Sequence, residues 1–90
     1  MKNTNEMEIR FDSRSENEGF ARVAVAAFMT QLNPTVEEVS DVKTAVSEAV
    51  TNAIIHGYDG QVRTVMIHCQ IRETELTVEV KDEGTGIENI

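Results

Sequence analysis

The amphipathic segment between Asn33-Pro34 and His56-Gly57 constrains the fold of this chain most. Its apolar residues recur every three or four positions, the period of one helix face: Val39, Val42, Val46, Ala49, Val50 and Ala53. Thr35 followed by Glu38 is a capping-box pattern that begins a helix, and Gly57 is a common left-handed stop just after one. We therefore expect a helix of about twenty residues that packs its apolar stripe on a sheet.

Alternating apolar and polar residues predict that sheet, because successive side chains of a strand point to opposite faces. The chain begins with one such stretch, after residues 1–6, which we expect to be frayed. A turn at 72–75 separates two more, which we expect to pair as antiparallel strands. His68 and Cys69 lie on opposite faces without a second metal ligand at a suitable spacing, so we interpret both as packing residues. The apolar positions are Met7, Ile9 and Phe11; Val65, Ile67, Cys69 and Ile71; and Leu76, Val78 and Val80.

A first helix is predicted after Ser15 and Glu18, which form a second capping-box pattern. The segment FARVAVAAFM at 20–29 has a single charge, Arg22. Its helical wheel is apolar on both sides, whereas a surface helix is normally polar outside. Either this helix is packed on both sides within the domain, or its outer face meets another chain and Arg22 pairs with a partner carboxylate. We expect that wheel to place Phe20, Val23, Ala24, Ala27 and Phe28 on one side and Arg22, Ala26 and Met29 on the other.

The charge balance restricts the partners of the chain. Sixteen acidic residues stand against eight basic ones, a formal charge of −8. This opposes direct binding to nucleic acid or to an anionic membrane, and it is compatible with a basic protein or with an anionic ligand whose charge a metal offsets. Cys69 is the only cysteine, and neither a signal peptide nor a long apolar run is evident, so we expect a cytoplasmic protein.

Two polar motifs could carry chemistry. Glu48 and Asn52 lie four positions apart on the long helix, where a carboxylate and an amide can share a divalent cation or a water, although many solvated helix faces carry the same pair. Asp82 ends the last strand in the sequence DEGTGI, where it could accept a hydrogen bond from an exocyclic amine such as that of adenine. An ordinary acidic turn without a binding role would have the same sequence pattern. Neither a P-loop nor a dinucleotide-binding glycine fingerprint is present.

The order EAVTNAIIHGY, antiparallel hairpin and DEGTGI resembles the first two nucleotide-binding boxes of the ATPase superfamily of gyrase, heat-shock protein 90, histidine kinases and MutL. Within it, SEAVTNAIIHGY and FARVAVAAF resemble the anti-sigma factor serine kinases of spore-forming bacteria. This resemblance implies an α+β, two-layer sandwich with helices on one face of a mixed, mainly antiparallel sheet. It also implies that residues 1–90 are one domain, the N-terminal portion of a longer histidine-kinase-like ATPase domain whose lid and second glycine box follow.

The resemblance implies a role for each motif residue. Asn52 would hold Mg²⁺ that bridges the phosphates of ATP or ADP, and Glu48 would be the general base that takes the proton of the attacking hydroxyl. Asp82 would accept the adenine amine, with Gly84 and Gly86 shaping the loop against the base. These roles suit phosphoryl transfer, in which a protein mainly positions groups and neutralises charge.

The family's partners are also implied. They are a sporulation sigma factor that the homodimer sequesters, and an anti-anti-sigma factor whose serine is phosphorylated. Arg22 and the outer face of the first helix would suit the partner surface. The alternative is a sigma-sequestering module without catalysis, because the lid and the second glycine box are not in these 90 residues.

Overall fold

The computed structural model describes residues 3–56, 62–82 and 86–90, except for the side chains of residue 56 and of 86–89. The expected helix stop at Gly57 and the loop residue Gly84 lie outside the described residues.

Four strands form one sheet in the order in which they occur along the chain. They are β1 (Thr4–Asp12), β2 (Thr64–Arg72), β3 (Glu75–Asp82) and β4 (Gly86–Asn89). All three neighbouring pairs are antiparallel. The three predicted strands and the turn between β2 and β3 are confirmed, and Glu73 in that turn has a positive φ of 58°. The expectation that β3 is the last strand is wrong, because β4 follows it and pairs with it.

The expectation that residues 1–6 are frayed is wrong for its second half. β1 already begins at Thr4, opposite Arg72. The backbone N–H of Glu73 donates to the Asn3 carbonyl at 2.7 Å, and the Asn3 side-chain amide donates to the Glu73 carbonyl at 2.7 Å. Polar side chains do not prevent this pairing, because the ladder is made by backbone groups.

Two helices connect β1 to β2: α1 (Glu16–Met29), which a short 3₁₀ turn (Thr30–Leu32) follows, and α2 (Val36–His56). The capping box of α2 is confirmed, because the Glu38 N–H donates to the Thr35 hydroxyl at 3.0 Å and the Thr35 N–H donates to Glu38 at 2.9 Å. The capping box predicted for α1 is wrong. Ser15 has helical backbone angles, and its hydroxyl donates instead to the carboxylate of Glu16 at 3.0 Å.

Both helices pack on the same face of the sheet, where side chains of α1, α2, β2 and β3 form one apolar core. Met7, Ile9 and Phe11 of β1 pack against this core and are themselves partly buried. The other face of the sheet carries no described helix. The fully or almost fully buried residues of the apolar core are Ala21, Val25, Val46, Ala49, Val50, Ala53, Val65, Ile67, Cys69, Val78 and Val80. The α+β fold with helices on one face of a mainly antiparallel sheet is therefore confirmed.

The orientation of α1 differs from the predicted wheel. Its buried line is Ala21, Val25 and Met29, whereas Phe20 and Val23 are 61% and 58% exposed. The wheel predicts Met29 on the outer face with Arg22, whereas the structure buries it. The small side chain of Ala21 lets the helix approach its neighbours closely, and residues four apart form one continuous ridge for packing. The exposed apolar surface of α1 thus lies opposite that ridge. Arg22 lies next to the ridge instead, on the side of α1 that faces α2. Within the described chain, neither helix is long and apolar enough to cross a membrane.

Candidate functional site

Glu48 and Asn52 lie on the exposed side of α2, one position before the buried residues Ala49 and Ala53. The buried neighbours fix the rotation of the helix, so both polar side chains point away from the core. With Ser47 and Thr51 they line one hollow of about 420 Å³. The predicted pairing of a carboxylate and an amide on one side of the helix is thus present.

Asp82 lies at the end of β3, opposite Val65 of β2 and Gly86 of β4. It is 6% exposed and is the one buried charged residue among those described. Asp82 lies two and four positions after Val80 and Val78 along β3, so its side chain is on the same face of the sheet as theirs, the face that carries the helices. Burial of a carboxylate is costly unless polar groups satisfy it, so the Asp82 carboxylate requires a polar partner at this strand end.

The core connects the two motifs. Ala53, next to Asn52, and Val80, two positions before Asp82, belong to the same apolar cluster. The C-terminal half of α2 and the end of β3 therefore face each other through shared packing. The description of Gly86 is limited to its backbone pairing with Asp82, and Gly84 is outside the described residues. That Asn52 and Asp82 border one slot stays a prediction.

Asn52 and Glu48 offer oxygen donors of the kind that Mg²⁺ prefers. Among the described residues, no group of three or more His, Cys, Asp or Glu side chains could enclose a metal ion. This donor set fits a magnesium ion that takes one or two protein ligands and completes its shell with phosphate oxygens and water. It does not fit an ion held by protein side chains alone.

A second hollow lies between α1 and the N-terminal half of α2. It measures about 630 Å³, and its walls include Arg22, Val39, Lys43 and Glu48. Arg22 is half-buried and lies 3.9 Å from Glu18, and its Nε has no hydrogen-bond partner among the described residues. We call this hollow the α1–α2 groove. Since Glu48 lines both hollows, the groove leads directly to the surface that carries Asn52.

Sequence reasoning singled out Arg22 and Glu48 in the groove and missed Lys43. A signal was available, because polar residues recur every four positions on one line of α2, at Ser40, Thr44, Glu48 and Asn52. Lys43 lies beside this line.

The one cysteine has no chemical role at this site. Cys69 is fully buried in the core, and this burial raises the pKa of its thiol to about 11. A thiol with such a pKa is almost entirely protonated near neutrality and is a poor nucleophile. The prediction that Cys69 is a packing residue is confirmed. For His68 the same prediction is wrong, since it lies on the helix-free face beside two carboxylates.

Comparison with known proteins gives a consistent result. The model of the histidine kinase-like ATPase domain family matches residues 11–90. Curated relatives are named anti-sigma F factors. That of Clostridium acetobutylicum is 62% identical over 86 residues, which covers 96% of this chain and 60% of the relative. That of Clostridium novyi is 60% identical over 87 residues, which covers 96% of this chain and 61% of the relative. That of Thermoanaerobacter sp. strain X514 is 57% identical over 90 residues, which covers 100% of this chain and 63% of the relative. The chain thus spans about three fifths of the length of these relatives.

Proposed function

Because the chain belongs to the histidine kinase-like ATPase domain family, we propose that it forms part of an ATP site in a cytoplasmic anti-sigma factor with protein serine kinase activity. The observation that carries this proposal is Asp82, a buried carboxylate at a strand end on the face that supports α2. An adenine base presents an exocyclic amine that such an acceptor can select, and the neighbouring Gly84 and Gly86 allow close approach of backbone to a flat ring.

The phosphate side of the site is assigned to α2. Asn52 would hold a magnesium ion, which would supply positive charge to offset that of the nucleotide phosphates. Glu48 lies one helical turn before it, accepts the proton of the attacking serine hydroxyl and needs only to reach that hydroxyl directly or through one water. The exposure of both side chains to one hollow supports this assignment.

The partner surface is assigned to α1. Its exposed apolar residues, Phe20 and Val23, suit apolar contacts with a protein partner. Arg22, on the side of α1 that lines the α1–α2 groove, suits a carboxylate of the partner. We assign a sigma factor as one partner, in keeping with the relatives' name. We further assign to this sigma factor a role in sporulation, to the chain a homodimeric state, and to the serine-bearing anti-anti-sigma factor the place of second partner. The formal charge of −8 favours a sigma factor with a basic surface over direct contact with nucleic acid.

Calorimetric titration of the chain with Mg-ADP tests the nucleotide site. We expect Asn52→Ala to weaken Mg-ADP binding at least tenfold and to matter much less when magnesium is omitted. Asp82→Asn should weaken binding of adenine nucleotides with and without magnesium. Thr51→Ala is the matched control, because Thr51 lines the same hollow without an assigned role. Equal affinity of the wild type and Asn52→Ala would refute the metal role of Asn52.

A second candidate is a sequestering module without catalysis, which the α1–α2 groove and the exposed surface of α1 favour. Glu48→Gln distinguishes the two in the natural full-length protein. The kinase hypothesis requires that this variant still bind nucleotide and no longer transfer phosphate to the antagonist serine. Unchanged phosphate transfer would refute the role of Glu48, whereas absence of transfer already in the wild type would favour the sequestering module.

A further inference from the structure

The helix-free face of the sheet carries a group of charged side chains that the proposed nucleotide site does not use. His68 lies at its centre, in β2, where the register places it directly opposite Glu8 of β1 and Glu79 of β3. Glu6 is the diagonal neighbour on β1. Three carboxylates from two different strands therefore surround one imidazole.

Both nitrogens of that imidazole face a carboxylate. Nε2 lies 3.0 Å from Oε2 of Glu6, and Nδ1 lies 3.2 Å from Oε1 of Glu79. A neutral imidazole has only one N–H, so it can satisfy only one of these carboxylates, whereas the imidazolium ion donates to both. The geometry thus matches the protonated form. The His68 side chain is 23% exposed, which limits screening by water without isolating it from protons.

The surrounding charges act in the same direction on balance. The hydrogen bond to Glu6 and then that to Glu79 raise the pKa of His68 above its ordinary value of 6.5, and partial desolvation opposes them. Glu8 is paired with Arg10 at 3.2 Å. Lys81 lines the same small hollow as Glu8, His68 and Glu79, and its charge opposes protonation. The helices contribute no charge to this face, because they pack on the other one.

We propose that His68 is a proton-dependent clamp that ties β1 to β3 across β2. Among the described strands, β1 lies at one end of the order and pairs with β2 alone, so the clamp adds a link to a strand beyond its own neighbour. When His68 loses its proton, one carboxylate loses its donor. Glu6 is the more exposed of the two, at 59%, and keeps only the Gln70 amide at 3.3 Å. β1 is then held less firmly.

The sign of the pH effect follows from the raised pKa. Because folding raises the pKa of His68, the clamp contributes its full stability below the unfolded value near 6.5 and loses it as the pH rises through the folded value. Each unit of difference between the two pKa values changes the unfolding equilibrium constant about tenfold across this range. The chain should therefore be more stable in slightly acidic than in slightly basic solution.

Urea unfolding of the chain at about pH 6 and about pH 8.5 measures this difference. We expect a higher midpoint at the lower pH for the wild type, and a much smaller difference for His68→Gln and for Glu79→Gln. His56→Gln is the comparison variant, since it removes the other histidine of the chain, and the part of the pH dependence that belongs to His68 is the part that His68→Gln loses and His56→Gln keeps. Equal midpoints of the wild type at both pH values, or an unchanged pH dependence in His68→Gln, would overturn the proposal.

A direct titration keeps the test decisive if a variant fails to fold. The ring protons of His68, followed by NMR in the wild type, should titrate with a pKa above that of the urea-unfolded chain. The protection factors of the β1 amides against hydrogen exchange should fall as the pH rises through this value. A His68 pKa at or below the unfolded value would refute the clamp. None of these measurements depends on nucleotide binding, so failure of the clamp and failure of the proposed kinase function remain distinguishable.

Discussion

Removal of the same two methyl groups from two neighbouring valines of α1 tests how this helix is oriented. Val25 is 0% exposed and belongs to the core, whereas Val23 is 58% exposed. Val25→Ala loses about 1.6 kcal/mol of transfer free energy at about 0.8 kcal/mol for each buried carbon. The cavity left behind raises the total to about 2–3 kcal/mol. Val23→Ala should change the free energy of unfolding by less than about 0.5 kcal/mol, because its side chain is largely in water.

Thermal unfolding followed by far-UV circular dichroism measures both variants. For a domain of this size a loss of 1 kcal/mol lowers Tm by about 4–8 °C, so Val25→Ala should melt at least about 8 °C below the wild type. Val23→Ala should melt close to the wild type and, under the proposed function, bind the sigma factor less tightly. The reasoning would be refuted if the two variants lost similar stability, or if Val23→Ala were the less stable one.

Two further results are expected. Thr35→Ala should destabilise the chain by about 1 kcal/mol in urea unfolding, because it removes the hydroxyl that accepts from the Glu38 N–H, while Ser15→Ala should have little effect because Ser15 makes no side-chain cap. Equal losses would contradict the difference between the two helix starts. The Cys69 thiol should react with a disulfide reagent only after urea is added, since it is fully buried and its pKa is raised to about 11; rapid labelling of the folded chain would contradict its burial.

The sequence predicted α2 and the sheet well, because each has one apolar side and one polar side. The alternation of Val65, Ile67, Cys69 and Ile71 leaves only one face that can be buried, and a shift by one residue would expose all four. The stripe of α2 likewise fixes its rotation, which places Glu48 and Asn52 on the exposed side. The capping box of α2 could also be predicted from the sequence, because its two partners, Thr35 and Glu38, lie within one turn of the helix start.

The rotation of α1 could not be predicted in the same way. Its residues 20–29 are apolar on every side of the helix, so the spacing of apolar residues does not show which side is buried and which is exposed. Packing decides, and it selects the ridge of Ala21, Val25 and Met29. The His68 cluster was missed for a related reason. Its partners Glu6 and Glu79 lie 62 positions before it and 11 after it in the sequence, and only the register of β1 on β2 and of β2 on β3 brings them together.

The position of Glu48 bears on how the two proposed activities could be connected. It lines both the hollow that contains Asn52 and the groove that reaches Arg22. In the proposed function, a serine-bearing segment lying in that groove would meet the general base without crossing the core, and the same helix line would contact nucleotide at one end and protein at the other. α2 is a continuous helix packed on the sheet, so these two ends cannot move independently by much. Glu48 is therefore the position at which a nucleotide in the Asn52 hollow and a protein segment in the groove would come into contact.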